Sequence, residues 1–462
     1  MIVKHIIFTL LIVSCDSQLT SFTSLLIDAW KNNPIVQFTT RASGEVITNT
    51  VDNITKLPIA IAGALRHVYM FPTLIHSHTN VIDVTDNFIA EFNSESNNED
   101  ANLNIEELII KYGYPVEEHT VQTEDGYILN MYRIPNNGSV VFLMHGLLGS
   151  ADDYVIAGPE SGLAYLLSKE GYDVWMGNAR GNKHSRRHVE YHPSESVFWD
   201  FTWHEIGYYD LPAMIDYALE VSNSETLKFI GHSQGTTAFF VMASEKVHYN
   251  SKISLMIALS PVAFMANAKS PIVRLLAPGG PLIHSFTKAL GIYELLPDNT
   301  MMRILKHLMC GNGVLAEILC NNIIFLMAGF DLGQLNVTNL PVMFGHSPSG
   351  ASVKQIAHYG QSVISNDFKK FDYGSLENIR LYGKSEPPSY KLDRISAPVS
   401  LFYSEADWLA HPDDVSKLYD KLGNAVDLHK IPYKQFNHLD FLFAKDFKNL
   451  IYERLRKLLS LF

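Results

Sequence analysis

The pentapeptide 231–235, Gly-His-Ser-Gln-Gly, constrains the fold of this chain more than any other feature. It follows the apolar run 227–230 and precedes the helix-like stretch 236–243. A serine between a strand and a helix lies on a sharp turn, and its small neighbours let the two elements close on each other. The pattern therefore predicts a strand, a turn and a helix that present Ser233 as a nucleophile, rather than an incidental glycine-rich turn.

A nucleophilic serine needs a histidine base and a carboxylate that orients this base. With a turn of this kind, the usual order along the chain is serine, acid, histidine. Asp407 follows the predicted buried strand 398–403, and His438 lies in a loop after the predicted strand 428–432. Both residues stand just past a strand, in the required order. We therefore predict a catalytic triad of Ser233, Asp407 and His438.

Other residues in the same region are alternatives for these roles. Glu405 lies two residues from Asp407 and is the alternative acid. His411 and His429 are alternative bases, although His429 falls within a predicted strand. Asp440 is expected to cap the last helix, because a carboxylate stabilises the N-terminus of a helix.

The oxyanion of an acyl-transfer reaction needs two backbone N–H donors. One donor is expected from Gln234, the residue after the serine. The other is expected from the turn 145–149, which follows the predicted early strand 140–144. Within that turn Leu147 is the predicted donor, and its side chain would face the substrate and suit an acyl chain.

Strands and helices alternate along the predicted core, which favours an α/β fold with a mostly parallel central sheet. An insertion interrupts this core, and its first half is apolar and helix-like. The polar, acidic stretch 91–104 is typical of a flexible linker. The predicted organisation is a signal peptide (1–18), an N-terminal extension with the acidic linker (19–104), a core in two parts (105–263 and 392–462) and the insertion (264–391).

Composition limits the partners of this chain. The 462 residues carry a net charge of −12, which argues against nucleic acid as a partner and gives no strong attraction to anionic lipid headgroups. Contact with lipid should then be apolar. The N-terminus has a short basic region and the apolar run 6–13, which is typical of a secretory signal peptide. No later segment reaches the roughly 20 apolar residues that a transmembrane helix needs.

The chain from about residue 109 to residue 462 resembles the acid lipase family, which includes gastric and lysosomal acid lipases. The motifs that carry this resemblance occur in order along the chain: Tyr112–Pro115, Thr123–Leu129, His145–Leu148, Gly171–Asn182, Tyr209–Ala213, Gly231–Thr237, His346–Ser352, Asp407–Ala410 and Asn437–Phe441. The resemblance implies an α/β-hydrolase fold in which the insertion is a helical cap, with a lid within about 298–328. It also implies the same triad and the same oxyanion donors, and an animal (insect-like) member.

Two cysteines and three sequons complete the candidate sites. If Cys15 leaves with the signal peptide, Cys310 and Cys320 remain, and an isolated pair in a secreted protein indicates either one disulfide or two free buried thiols. The resemblance implies the disulfide. Asn53, Asn137 and Asn336 are glycosylation sequons. No metal site is expected, because positive charge crowds the histidine cluster 184–192.

These features together predict a serine lipase that hydrolyses neutral lipid esters, triacylglycerol or cholesteryl ester, through an acyl-enzyme. Its partner is a lipid ester at a lipid–water interface, it needs no cofactor, and we expect a monomer in the secretory pathway, either extracellular or lysosomal. A secreted carboxylesterase for smaller acyl esters and a lipid-carrying protein on a hydrolase scaffold are the alternatives.

Overall fold

The computed structural model of this chain describes residues 98–277, 287, 291–296, 327–329, 331 and 333–462. Several predicted features lie outside these residues. They are the signal peptide 1–18, nearly all of the extension 19–104, the sequon at Asn53, nearly all of the predicted lid 298–328 and both cysteines, Cys310 and Cys320.

A mostly parallel sheet forms the centre of the described part of the chain. Its strands are β1 (Glu117–Gln122), β2 (Tyr127–Ile134), β3 (Val140–Met144), β4 (Asp173–Gly177), β5 (Arg187–His188), β6 (Leu227–His232), β7 (Ile253–Leu259), β10 (Val399–Tyr403) and β11 (Ala425–Lys430). The strand order is β1-β2-β4-β3-β6-β7-β10-β11, and β5 pairs with β2. Pairs that involve β2 are antiparallel, whereas the strands from β4 to β11 in this order run parallel. A second, two-stranded sheet pairs β8 (Glu294–Leu295) with β9 (Ala351–Ser352).

Two hydrophobic clusters, both of which include helix residues, pack against the central sheet, which explains why its inner strands β3, β4, β6 and β7 are fully or almost fully buried. The helices are α1 (Ile105–Lys111), α2 (Leu163–Lys169), α3 (Trp203–Glu205), α4 (Leu211–Val221), α5 (Gln234–Glu245), α6 (Pro271–Leu276), α7 (Leu340–His346), α8 (Val353–Ser365), α9 (Ser375–Tyr382), α10 (Pro412–Lys421), α11 (Asp440–Phe443) and α12 (Glu453–Leu461). All five residues of β3 are buried, and they alternate between the two hydrophobic clusters. Phe142 packs in one cluster and Leu143 in the other, as the period of two requires. The predicted α/β fold with a mostly parallel sheet is confirmed.

The topology brings the loops after the parallel strands to one edge of this sheet. Strands β3, β6, β7, β10 and β11 are parallel, so their carboxyl ends point the same way. In an open α/β sheet, binding sites form at this edge. The residues after β6, β10 and β11 include Ser233, Asp407 and His438, and Leu147 follows β3.

Residues 98–104 differ from the predicted linker. They form a short 3₁₀ turn, Glu99–Ala101, and the start of α1, whose cap Asn104 exchanges hydrogen bonds with Glu107. Asp100 is buried, where its carboxylate accepts hydrogen bonds from Lys111 Nζ (2.6 Å) and from the Tyr112 hydroxyl. The acidic residues of this stretch have partners 11 and 12 positions later, and the stretch is therefore folded.

None of the helices in the described part of the chain is long and apolar enough to cross a membrane.

Candidate active site

Ser233 occupies a one-residue turn between β6, which ends at His232, and α5, which begins at Gln234. Its backbone has φ 51° and ψ −117°, a conformation that costs a residue with a side chain on the order of 1–3 kcal/mol. The flanking glycines make this turn possible. A Cβ on Gly231 would lie 2.9 Å from the carbonyl carbon of Gly235, and a Cβ on Gly235 only 2.2 Å from the Met144 carbonyl oxygen.

The structure brings the three predicted triad residues together. His438 Nε2 lies 2.8 Å from Ser233 Oγ, and His438 Nδ1 lies 3.0 Å from each carboxylate oxygen of Asp407. All three side chains are buried. The imidazole can therefore donate Nδ1–H to Asp407 and accept the serine proton at Nε2.

The Asp407 carboxylate is held ionised by its surroundings. Oδ1 accepts hydrogen bonds from the backbone amides of Leu409 (2.8 Å) and Ala410 (2.9 Å). Burial alone would raise the pKa of Asp407, but the charge of His438 and the hydrogen bonds from His438, Ser260 and Ala410 lower this pKa below its ordinary value. An ionised acid at this position fixes the tautomer of His438 and stabilises the imidazolium.

Ser260 is a site residue that the sequence reasoning missed. It follows β7 directly, with φ 51°, and its hydroxyl donates to Asp407 Oδ2 and lies 2.6 Å from His438 Nδ1. It is fully buried. Its position in the sequence could have indicated this role. Ser260 directly follows the apolar run 253–259, just as Ser233 directly follows the apolar strand β6.

The two predicted oxyanion donors belong to segments that meet beside Ser233. A Cβ on Gly146 would lie only 3.1 Å from Ser233 Cβ, so the backbone before Leu147 runs directly against the serine. Gln234 is the first residue of α5, where backbone N–H groups lack partners within the helix and favour negative charge.

Two buried histidines form hydrogen bonds to the backbone of these turns. His145 donates from Nδ1 to the Gly146 carbonyl (2.7 Å) and accepts at Nε2 from the Ala179 amide (3.1 Å). His232 donates from Nε2 to the His438 carbonyl (3.0 Å). Burial lowers the pKa of His145 to about 4 and that of His232 to about 3, so both rings are neutral near pH 7.

The alternative acid, Glu405, and the alternative bases, His411 and His429, lie outside the hydrogen-bonded group of Ser233, Asp407 and His438. Glu405 is exposed and pairs with Lys430 (2.9 Å), a residue of β11. His411 caps α10, because its ring accepts a hydrogen bond from a backbone amide of the first turn. His429 is within β11.

The prediction that Asp440 caps the last helix is wrong. The last helix is α12, whereas Asp440 begins the short helix α11. The N-cap residue of α11 is Leu439, which makes no side-chain cap hydrogen bond, and Asn437 Oδ1 accepts from the amides of Leu439 (2.8 Å) and Asp440 (3.2 Å). The Asp440 carboxylate instead accepts a hydrogen bond from the Asn437 amide (2.7 Å). The sequence pattern placed α12 too early, because it did not show the break after α11.

The remaining predicted sites are only partly described. Asn137 is exposed in the turn before β3, whereas Asn336 is half-buried and accepts a hydrogen bond from the Thr338 hydroxyl (2.7 Å). In the histidine cluster, His184 contacts Asp152 Oδ1 (2.7 Å) and His188 donates to a backbone carbonyl.

Comparisons with known proteins identify the fold and the family of this chain. Residues 105–158 match the family model of a partial α/β-hydrolase lipase region, and residues 139–280 match that of the α/β-hydrolase fold. Lipase 1 of Drosophila melanogaster is 40% identical over 367 residues, which cover 78% of this chain and 81% of the relative. Lipase 3 of the same organism is 42% identical, with 75% and 90% covered. Human gastric triacylglycerol lipase is 38% identical, with 78% and 91% covered. The resemblance to acid lipases holds over most of both chains, and this protein belongs to the animal acid lipase family of α/β hydrolases and is a lipid ester hydrolase.

Proposed function

We propose that this protein hydrolyses triacylglycerol or cholesteryl ester by two-step acyl transfer, with Ser233 as nucleophile, His438 as general base and acid, and Asp407 as the orienting carboxylate. The observation that carries the proposal is the position of His438. Its ring bridges the serine hydroxyl at 2.8 Å and the buried carboxylate at 3.0 Å. Nucleophile, base and orienting acid in this arrangement are what ester hydrolysis by a serine requires.

Acylation begins when Ser233 Oγ attacks the ester carbonyl and its proton passes to His438 Nε2. The imidazolium that forms is stabilised by the ionised Asp407. The backbone amides of Leu147 and Gln234 hold the negative oxygen of the tetrahedral intermediate, and each such donor contributes on the order of 3–4 kcal/mol. The intermediate collapses when His438 gives its proton to the departing alcohol oxygen, which leaves an acyl ester on Ser233.

Deacylation uses the same groups in the same order. His438 Nε2 takes a proton from a water molecule as the water oxygen attacks the acyl carbonyl. The second tetrahedral intermediate expels Ser233 Oγ, which regains its proton from His438, and a fatty acid is released. Every proton moves through Nε2, so the Nδ1–H bond to Asp407 remains in place throughout the cycle.

Features of the site and of the relatives support the proposed class of substrate. The half-buried Leu147 packs on the hydrophobic core next to Ser233, so an acyl chain would meet an apolar surface there. Relatives that match over most of their own length include gastric triacylglycerol lipases. The insertion 264–391 would act as a cap with a lid, and substrate would enter at a lipid–water interface.

The site of action proposed for the protein is the secretory pathway, with delivery outside the cell or to lysosomes. The basic and apolar N-terminal segment supports this, as do the gastric lipases among its relatives. On this route, the exposed Asn137 is the sequon best placed for glycosylation.

Hydrolysis of two substrates tests the proposal. The purified protein and Ser233→Ala are assayed on emulsified trioleoylglycerol and on soluble p-nitrophenyl butyrate, at about pH 5 and about pH 8. We expect oleate release by the parent that is lost in Ser233→Ala. Ser404→Ala is the matched control, because Ser404 is a buried serine at the same edge of the sheet. Turnover of the butyrate ester alone would favour an esterase, and activity in Ser233→Ala would refute the assigned nucleophile.

A further inference from the structure

Strand pairing alone does not set the distance between the candidate acid and base. Asp407 lies four residues past the end of β10, and His438 lies eight residues past the end of β11. Side chains on loops are placed less precisely than side chains on strands, unless other groups hold the loops. Yet both carboxylate oxygens of Asp407 lie 3.0 Å from His438 Nδ1, so something must hold the acid loop and the base loop in register.

A peptide from the insertion bonds to both of these loops. We call residues 328–329 the bridging peptide, and both of its residues are buried. The carbonyl oxygen of Ala328 accepts one hydrogen bond from the Trp408 amide (3.3 Å) and one from the His438 amide (3.2 Å). Trp408 directly follows Asp407. A single oxygen atom therefore joins the backbone next to the acid to the backbone of the base.

The second residue of the bridging peptide lies against the same two loops. Gly329 has φ +109°, a backbone conformation that a residue with a side chain rarely adopts. A Cβ at this position would lie 2.3 Å from the carbonyl oxygen of Ala406 and 3.3 Å from Cβ of Asn437. The Gly329 carbonyl also accepts a hydrogen bond from Asn437 Nδ2 (3.2 Å). Ala406 and Asn437 immediately precede the acid and the base, so the bridging peptide is in contact with the backbone that carries each of them.

Other backbone groups complete the support of the two loops. The carbonyl oxygen of Trp408 accepts hydrogen bonds from the amides of Lys269 (2.7 Å) and Ser270 (3.1 Å), near the start of the insertion. The carbonyl oxygen of His438 accepts one from His232 Nε2 (3.0 Å), at the end of β6. The backbone of Trp408 and that of His438 are thus each held at both N–H and C=O. The bridging peptide supplies the partner of the N–H in both cases.

We propose that Gly329 is a positioning residue: the bridging peptide sets the spacing of Asp407 and His438, and it can do so only because position 329 carries no side chain. The inference rests on the function proposed for Ser233 and these two partners. It also gives the insertion a role inside the site, since the acid loop and the base loop both depend on its backbone for a hydrogen-bond partner.

Gly329→Ala tests this role, because the added methyl group meets a defined atom. Ordinary van der Waals contact begins at about 3.4 Å, so a Cβ at 2.3 Å must separate the bridging peptide from the Ala406 backbone by about 1 Å. A misplacement of this size in the structure around a catalytic site can lower turnover about 100-fold. We expect kcat for p-nitrophenyl butyrate to fall about 100-fold while KM changes by less than about twofold, because the changed contact is with the backbone that carries the acid.

Activity is expressed per active site, so that poor folding and mispositioning give different results. An alkylphosphonate ester labels Ser233 of folded molecules, and the label at completion counts the sites. Labelling and turnover both require His438 to take the serine proton. A variant that only folds poorly has fewer sites, each with the parent kcat. A variant with a displaced acid and base has a parent-like number of sites, each of which is labelled and turned over slowly.

Gly374→Ala is the matched control. Gly374 also lies in the insertion and has φ +88°, but a Cβ there would meet no atom of the described residues within 4 Å. This variant has the same kind of backbone strain without the close contact, so its kcat per site should equal that of the parent.

Asn437→Ser is a second variant that adds no steric clash. A serine hydroxyl can still accept from the amides of Leu439 and Asp440, but the amide that donates to the Gly329 carbonyl is gone. Loss of one neutral hydrogen bond should lower kcat per site roughly 2- to 10-fold.

A Gly329→Ala enzyme whose kcat per site is within about twofold of Gly374→Ala would overturn the proposal, as would a loss confined to the number of sites. If Gly329→Ala yields no folded protein, Asn437→Ser decides, and a kcat per site equal to that of the parent overturns the proposal. Failure of the proposed function would look different, because the parent itself would then take up no phosphonate at Ser233.

Discussion

Ser260→Ala should impair turnover without touching the nucleophile, the base or the acid. The Ser260 hydroxyl donates to Asp407 Oδ2 and lies 2.6 Å from His438 Nδ1, so it belongs to the polar network behind the imidazole. When His438 takes the serine proton, the charge on the imidazolium and the carboxylate is held by this network. Removing the hydroxyl leaves Asp407 Oδ2 with His438 as its remaining partner among the described residues.

The size of the effect can be bounded from the remaining hydrogen bonds. Asp407 Oδ1 keeps the amides of Leu409 and Ala410, at 2.8 and 2.9 Å, so the carboxylate stays ionised and roughly in place. One hydrogen bond to a charged group contributes about 1.5–3 kcal/mol. If this energy is realised in the transition state, kcat should fall about 10- to 100-fold, since about 1.4 kcal/mol corresponds to a factor of ten. Removal of the acid itself should cost more, on the order of 10⁴-fold.

The assay is steady-state hydrolysis of p-nitrophenyl butyrate, with active sites counted by phosphonate labelling. We expect the loss in kcat and little change in KM, because the hydroxyl lies behind His438 and not against the substrate. Ser404→Ala is the control: Ser404 is also fully buried past a strand end, but its hydroxyl has no hydrogen-bond partner among the described residues. A Ser260→Ala enzyme with kcat within twofold of Ser404→Ala would refute the reasoning.

Two further variants test the electrostatics of the core. Arg180→Met removes the guanidinium that lies 2.7 Å from the carboxylate of the fully buried Asp210. The free energy of unfolding measured in urea should then fall by about 3–5 kcal/mol, because the buried carboxylate loses its partner. A loss under about 1 kcal/mol would contradict this reasoning. Burial and the charge of Asp152 raise the pKa of Asp153 to about 7, so the stability it contributes is fully present below about pH 4 and is lost as the pH rises through 7. Asp153→Asn should have the same free energy of unfolding as the parent at about pH 4 and a higher one at about pH 8, by up to about 4 kcal/mol. Melting temperatures measured across this pH range check the prediction. If those of the variant and the parent change in parallel with pH, the raised pKa of Asp153 is contradicted.

The elements that the sequence predicted well are those whose signals are local. The turn around Ser233 needs Gly231 and Gly235 for steric reasons that hold in any chain with a strand, a turn and a helix. The positions of Asp407 and His438 could be predicted because each comes after a predicted strand, in a fixed order along the chain. Parallel pairing then brings these strand ends to one edge, so the site follows from the fold class.

The features that the sequence did not predict depend on contacts between distant residues. Ser260 joins the site only because β7 lies between β6 and β10 in the sheet, and the residues of β7 do not indicate this strand order. The acidic residues around Asp100 resembled a solvated linker, because their partner Lys111 lies on a helix that begins later. Asp440 was predicted to cap the last helix, whereas it begins the short helix α11 and its carboxylate accepts a hydrogen bond from the Asn437 amide, because the chain breaks after α11 in a way that the local pattern does not show.

Covalent labelling tests the central claim most directly. The full-length protein is treated with a p-nitrophenyl alkylphosphonate, which reacts with an activated serine as an ester would but stops at the first covalent step. Digestion and mass spectrometry then identify the modified residue. The account predicts one phosphonyl group per molecule on Ser233, with release of p-nitrophenol in step with the loss of trioleoylglycerol hydrolysis. A label on another residue, or full hydrolytic activity after Ser233 has been modified, would contradict it.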